Sequence, residues 1–287
     1  MLRTGAGLAL GLLLGWLWLR HYGHLLASPQ DGDLLWIMVG LLGLVVELPV
    51  RILRTALLLG LPARTGSRSL TRAVLAAHAL DLLGPPLAGD LSEVLFVGRA
   101  SGRGFAGALP ALLLRMVLTV VGLSLMAAAA LSTQRPLLAG GLLCAGIAGA
   151  LLSGPVLRLA GRLLSRRFAN MQAVRLPVRH LPGHVALAVL EVCLPGAALL
   201  ALAAGLGTPL PIWLGLSTVA ALELLTYVPM PLGGIGLQHW GLVGAVAWLA
   251  PAVAPPALLA VAWHAALLVV AGAGGVLALM IEERTDG

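Results

Sequence analysis

Pro85-Pro86-Leu87-Ala88-Gly89-Asp90 and Pro229-Met230-Pro231-Leu232-Gly233-Gly234-Ile235-Gly236 decide how this chain is read. Each is a proline/glycine break inside an otherwise apolar stretch, and both contain Pro-Leu-x-Gly. Non-helical backbone at membrane depth survives only where protein or a water-filled cavity satisfies its N–H and C=O groups. Two such breaks in different halves are the sequence sign of a transport site between internal repeats. Function is therefore sought first at the breaks.

Around them the composition sets the class. Hydrophobic residues make up 60% of the 287 and charged residues only 10%, with apolar runs of about 20 residues recurring from end to end. The runs are continuous, whereas a membrane β-barrel alternates over short segments. The fold class expected is an all-α polytopic membrane protein, read as a single transmembrane domain over 1–287. All 18 basic residues are arginine. The absence of lysine excludes Schiff-base chemistry and the lysine of a phosphate-binding P-loop. Cys144 and Cys193 both lie in apolar runs, so no disulfide framework or cysteine metal site is expected. The net charge of +7 reads as topology rather than nucleic-acid affinity, because the arginines cluster between spans. The N-terminal apolar run follows Arg3 but lacks a small-x-small cleavage site, so it is expected to stay as a first span.

The expected apolar segments are 5–19, 34–58, a broken segment at 73–97, then 106–131, 137–157, 183–206, 211–228, 238–250 and 256–281. Arg51, Arg54, Arg64, Arg68 and Arg72 are assigned to one connection and Arg158, Arg162, Arg166, Arg167, Arg175 and Arg179 to another. Positive residues concentrate on the cytoplasmic side. Both arginine-rich connections and both termini are therefore expected in the cytoplasm, in a bacterial plasma (inner) membrane. Arg99 and Arg103 share that side only if 73–97 enters the membrane and returns. About 11 residues precede Gly84, or ~16 Å of helix at ~1.5 Å per residue, half of a bilayer. A re-entrant helical hairpin is expected there. The second break fits either two full spans or a hairpin entering from the opposite face. The whole is about eight spanning helices plus one or two re-entrant hairpins, arranged as an inverted repeat with halves at about 34–157 and 183–281.

Ionisable groups inside apolar runs cost several kcal/mol if unpaired, which makes them site candidates. Asp90 and Glu93 follow the first break, and Arg115 lies within the next span; Asp90–Arg115 is the ion pair expected first. Arg115 could hold two helices together or recognise phosphate. Glu47 precedes Arg51 by one turn, so a helix-end ion pair stands beside a functional role. Glu191 has no partner within a turn, and Glu223 lies just under two turns before Pro229. Asp81 and His78 share helical spacing near the first break, where a local hydrogen bond or a proton relay would fit. His180 and His184 are spaced i,i+4 without the intervening acid of a zinc protease, so no metal is expected. His239 and His264 sit within or beside apolar runs of the second half and could change charge near neutral pH.

Three stretches resemble the lysylphosphatidylglycerol synthase transmembrane-domain, or flippase-like, family. Asp81-Leu-Leu-Gly-Pro85-Pro86-Leu-Ala-Gly89-Asp90 is similar to the family's Asn-x-x-x-Pro-x-Arg-x-Gly-Glu/Asp segment. Arg115 occupies the place of the arginine in its Glu-Arg motif. Pro229-Met-Pro231-Leu-Gly233-Gly234-Ile-Gly236 is similar to its Pro-x-x-Pro-Gly-Gly-x-Gly signature, the most specific of the three. This chain keeps the backbone breaks but replaces several charges. Leu87, Glu93, Leu114, Gln238, His239 and His264 stand where the family pattern differs. The resemblance implies movement of a lipid headgroup across the bilayer. The family's aminoacyl-transferase activity lives in a separate soluble domain, which this chain is expected to lack.

The function expected is therefore a membrane lipid translocator for a polar or anionic headgroup. Its cavity is expected to be lined by Asp81, Pro85, Pro86, Gly89, Asp90, Glu93, Arg115, Glu223, Pro229, Pro231, Gly233, Gly234, Gly236, His239 and His264. No cofactor, metal, catalytic residue or nucleic acid is expected. The partner is a membrane lipid, with a homodimer left open. No nucleotide-binding motif is found, so the driving force is expected to be a gradient or downstream consumption. Two alternatives remain: an intramembrane enzyme using Asp90 and Glu93 as acid and base, although no GxSxG, HExxH or Asp-rich motif is found, and a non-transporting scaffold subunit, consistent with the replaced charges.

Overall fold

The computed structural model describes residues 33–61, 67–83, 88–165, 180–226, 235–250 and 257–281. These form nine helices: α1 (Leu34–Leu58), α2 (Ser67–Leu83), α3 (Ala88–Ala100), α4 (Gly104–Leu131), α5 (Pro136–Ser165), α6 (Leu181–Gly205), α7 (Ile212–Thr226), α8 (Ile235–Leu249) and α9 (Ala257–Met280). No strand occurs among the described residues. The segment 5–19 and the residues at the two breaks, 84–87 and 227–234, lie outside them.

Four helices, α1, α4, α6 and α9, are long and apolar enough to cross a bilayer. Rows of large apolar side chains stay exposed on their outer faces, including Leu35, Leu42 and Leu53 on α1 and Val269, Val276 and Leu279 on α9. A water-soluble protein rarely leaves such contiguous apolar surface uncovered, whereas lipid tails cover it at no cost. The expected all-helical, membrane-embedded class agrees with this architecture.

The arms flanking the two breaks are shorter. The 17 residues of α2 and 13 of α3 correspond to roughly 25 and 20 Å. The 15 residues each of α7 and α8 correspond to roughly 22 Å, below the ~30 Å hydrocarbon thickness. α2 packs on α3, and α7 on α8, so each broken segment folds back on itself. Gly89 shows how closely the first pair approaches: a Cβ there would fall inside the Asp81 side chain and backbone. The turn from α3 into α4 passes through Gly102 and Gly104, at φ 68° and 66°, left-handed backbone that glycine adopts without a Cβ penalty.

α1 and α6 run antiparallel in close contact. The Asp33 side chain caps α1 by accepting from the Leu35 N–H at 2.9 Å, while the Asp33 N–H donates to the Gly205 carbonyl at 2.9 Å. Further along, Gly40 faces Ala198 and Leu202, and Gly43 faces Leu194 and Ala198. Small residues at such positions let two membrane helices approach to backbone contact.

The helix pairings have a second regularity. Exchanging α1, α2, α3 and α4 with α6, α7, α8 and α9 carries every substantial contact among these eight helices onto another. α1–α2 becomes α6–α7, α2–α3 becomes α7–α8, α3–α4 becomes α8–α9, and α1–α4 becomes α6–α9. The crossed contacts α2–α9 and α4–α6 become α7–α4 and α9–α1, and α1–α6 maps onto itself. α5 stands outside the scheme and packs along α4.

One assignment needs correction. Arg51 and Arg54, counted in the sequence with a cytoplasmic connection, lie inside α1, and Arg54 is fully buried. Glu47, Arg51, Arg54 and Thr55 fall at i, i+4, i+7 and i+8, so one face of α1 is polar while the rest is apolar. The arginine bias near the α1–α2 connection rests on the remaining residues, among which Arg68 is exposed.

Candidate functional site

The polar face of α1 meets α3, α4 and α6 in an ion-pair network. Arg115 on α4 grips Glu93 on α3 with both guanidinium nitrogens, the second at 2.6 Å, and also donates to the Thr55 hydroxyl at 2.9 Å. Arg51 donates to the same Glu93 carboxylate at 3.0 Å. Arg54 pairs with Glu191 on α6 and donates to the Thr119 hydroxyl at 2.9 Å and the Arg115 carbonyl at 2.8 Å. Thr55 and Thr119 in turn donate to the Arg51 and Arg115 carbonyls one turn back. Glu93 is only 1% exposed. Ionised groups at that depth persist only when paired and hydrogen-bonded, and the two-pronged arginine–carboxylate geometry satisfies both partners at once.

Beside this network lies a cavity of about 90 Å³. α1 contributes Glu47 and Arg51, α2 contributes Asp81, and α4 contributes Arg115, Met116 and Thr119. α6 adds Glu191, Val192 and Pro195, and α7 adds Glu223. Pro195 has no N–H to give the Glu191 carbonyl four residues earlier, which leaves that carbonyl without its helical donor at the cavity wall. The volume suits several waters, each needing only ~15 Å³ of such space. Counted with the adjoining ion pairs, the cluster holds, among the described residues, five carboxylates (Glu47, Asp81, Glu93, Glu191, Glu223) and three guanidiniums (Arg51, Arg54, Arg115).

Of the expected site residues, Asp81, Arg115 and Glu223 line the cavity, and Glu93 buttresses it through Arg115 and Arg51. Gly89 lies beside Asp81 at the approach of the hairpin arms. Arg115 takes Glu93 as its partner, where Asp90 had been expected first; the Asp90 side chain lies outside the described residues. Pro85, Pro86, Pro229, Pro231, Gly233 and Gly234 also lie outside them. The backbone of Gly236 belongs to α8.

His239 and His264 are brought together, with ring centroids 4.9 Å apart and planes tilted by 45°, but neither lines the cavity. Their contact joins α8 to α9. Under the exchange of helices described above, the same pairing of helices corresponds to that of α3 with α4, which Glu93 and Arg115 join.

Sequence reasoning missed Arg51, Arg54, Thr55 and Thr119. The first three were detectable from their shared face with Glu47, a polar stripe at helical spacing. The pairing of Glu191 with Arg54 spans 137 positions, and no local pattern announces it. Among the described residues no group of three or more His, Cys, Asp or Glu side chains is placed to hold a metal ion. Set against family models, curated proteins and solved structures, the chain matches none.

Proposed function

We propose that this protein is a lipid translocator whose polar cavity receives a lipid headgroup while the tails remain in the bilayer. One observation carries the reading: ionisable side chains from both sides of the exchange, α1, α2 and α4 with α6 and α7, converge on a single cavity amid apolar helices. Membrane proteins retain such groups where a polar substrate or ion must pass. The exchange of α1–α4 with α6–α9 supports an inverted repeat inside the expected halves. α5, at 30 residues, returns the chain across the bilayer so that α6 starts on the face opposite α1. The two broken segments are then hairpins entering from opposite faces, and rocking of one half against the other exposes the cavity to either leaflet. The three guanidiniums are already engaged in ion pairs with Glu93 and Glu191, which favours a polar or zwitterionic headgroup over a strongly anionic one.

The topology has a direct test. In a cysteine-free background, Arg68→Cys and Arg99→Cys are expected to react with an impermeant thiol reagent from one face and Arg135→Cys from the other. Labelling of positions 68 and 99 from opposite faces would remove the first hairpin.

Transport is tested in proteoliposomes carrying a fluorescently tagged phospholipid, through loss of protection from an impermeant quencher. Met116→Trp fills the cavity without touching an ion pair and is expected to slow lipid movement at least about tenfold, ~1.4 kcal/mol in barrier. An unchanged rate in that variant would detach transport from the cavity. Glu47 and Glu223 are both on the cavity wall, an arrangement that would also suit acid–base work on a lipid. Mass spectrometry of the same vesicles separates the readings: relocation leaves the lipid intact, and catalysis converts it.

A further inference from the structure

Exchanging α1–α4 with α6–α9 leaves α5 without a counterpart. Among the described residues α5 packs along α4 and makes no substantial contact with α6, the helix it precedes. Gly146 lies against Ser124 and Leu125, and Gly149 against Val121, small residues that let the two helices approach closely. Since α4 maps onto α9, a counterpart of α5 lies along α9 and belongs to the chain just before α1 or just after α9. Residues 282–287 are Glu-Glu-Arg-Thr-Asp-Gly, polar nearly throughout. Residues 5–19 are apolar throughout, and Gly7, Gly11 and Gly15 recur at the spacing of one helical face.

The outer face of α9 has room for such a partner. Ala265, Val269, Val276 and Met280 are exposed and fall on one side of the helix. A Cβ at Gly272, beside them, would meet nothing within 4 Å. The outer face of α1 also exposes apolar side chains, and α1 is the nearer helix along the chain. The connection does not force that choice. Between Leu19 and Leu34 lie 14 residues, against 15 between Ser165 and Leu181. A connection of that length reaches up to ~45 Å, several helix diameters.

We propose that the apolar run 5–19 docks along the outer face of α9 as α5 docks along α4. The turn from α4 into α5 spans only 132–135, which makes those two helices antiparallel neighbours, and the run is antiparallel to α9 in the same way. Its glycine face turns inward, towards the side of α9 that carries Val269 and Val276. The repeat units then run 5–131 and 136–280, so that α5 opens the second unit and the run 5–19 the first. The docking rests on the pairing of helices, not on the translocator reading.

The full chain, with Cys144→Ser, Cys193→Ser and a protease site between Arg20 and Gly32, is oxidised in the membrane, cut, and run on a gel without reductant. Leu8→Cys with Val276→Cys, and Leu14→Cys with Val269→Cys, are each expected to hold the N-terminal fragment to the rest through an intramolecular disulfide. Leu8→Cys with Ala265→Cys is out of register by about 16 Å along the helix and is expected to stay open. Gly11→Leu, which holds the two helices apart, is expected to lower the disulfide yield at least about fivefold. A disulfide from Leu8→Cys to Val45→Cys, with none to α9, would put the run on α1 and overturn the docking. Disulfides only between two chains would mean that a second copy covers α9, and none at any pair that lipid does; either result overturns the docking as well. The two α9 pairs are read separately, so misfolding of one variant leaves the other decisive.

Discussion

Glu93→Leu is expected to abolish accumulation of folded protein, or to lower its unfolding midpoint in detergent further than any lipid-facing substitution. The Glu93 carboxylate answers two guanidiniums, gripping Arg115 on one side and meeting Arg51 at 3.0 Å on the other. Removing one partner of a buried ion pair costs about 3–5 kcal/mol, because the remaining charge is left uncompensated. Here two are left, against a total stability of about 5–15 kcal/mol typical of domains. Glu93→Gln should lie between, since its amide oxygen still accepts from a guanidinium while the charge is gone. A monodisperse Glu93→Leu protein with a wild-type midpoint would show that this pairing does not hold α3 against α4 and α1.

The second large effect concerns Arg54 and Glu191, and its signature is non-additivity. Arg54→Leu and Glu191→Leu are each expected to cost about 3–5 kcal/mol, since each strands a buried charge. Arg54→Leu also removes one donor each from the Thr119 hydroxyl and the Arg115 carbonyl. The double variant removes both charges together and should recover most of the loss, because paired buried ions replaced by apolar side chains are often neutral in effect. Unfolding midpoints of the four proteins give the cycle directly. Additive single effects would mean that Arg54 and Glu191 act separately, and that the crossing of α1 and α6 depends on small-residue packing alone.

Four of the expected spans were legible to within a few residues because hydropathy is a local property. The 34–58 segment coincides with α1, and those expected at 106–131, 183–206 and 256–281 appear as α4, α6 and α9. The Pro/Gly segments at 84–87 and 227–234 lie outside the described residues, and the helices on either side of them, α2 with α3 and α7 with α8, pack together. Site membership was harder. Asp81, Glu93, Arg115 and Glu223 could be chosen as charges inside apolar runs. Arg51 and Arg54 were passed over because arginines near a helix end were counted as boundary markers, although their helical spacing from Glu47 marks them as one polar stripe.

Read alone, the amino-acid order determined that the chain is helical and apolar enough for a bilayer, where proline and glycine punctuate its apolar runs, and which charges are expensive to bury. Only the tertiary structure decided which charges meet: Glu93 with Arg115 and Arg51, and Glu191 with Arg54, beside a cavity that Glu47 and Glu223 both line. The reason is rotational. A helix that is apolar on nearly every side, such as α6, carries little local mark of which face turns inward, so its orientation is set by close approaches such as Gly196 against Leu216 of α7. Partners 42 and 137 positions apart are then fixed by packing, which no window along the chain contains.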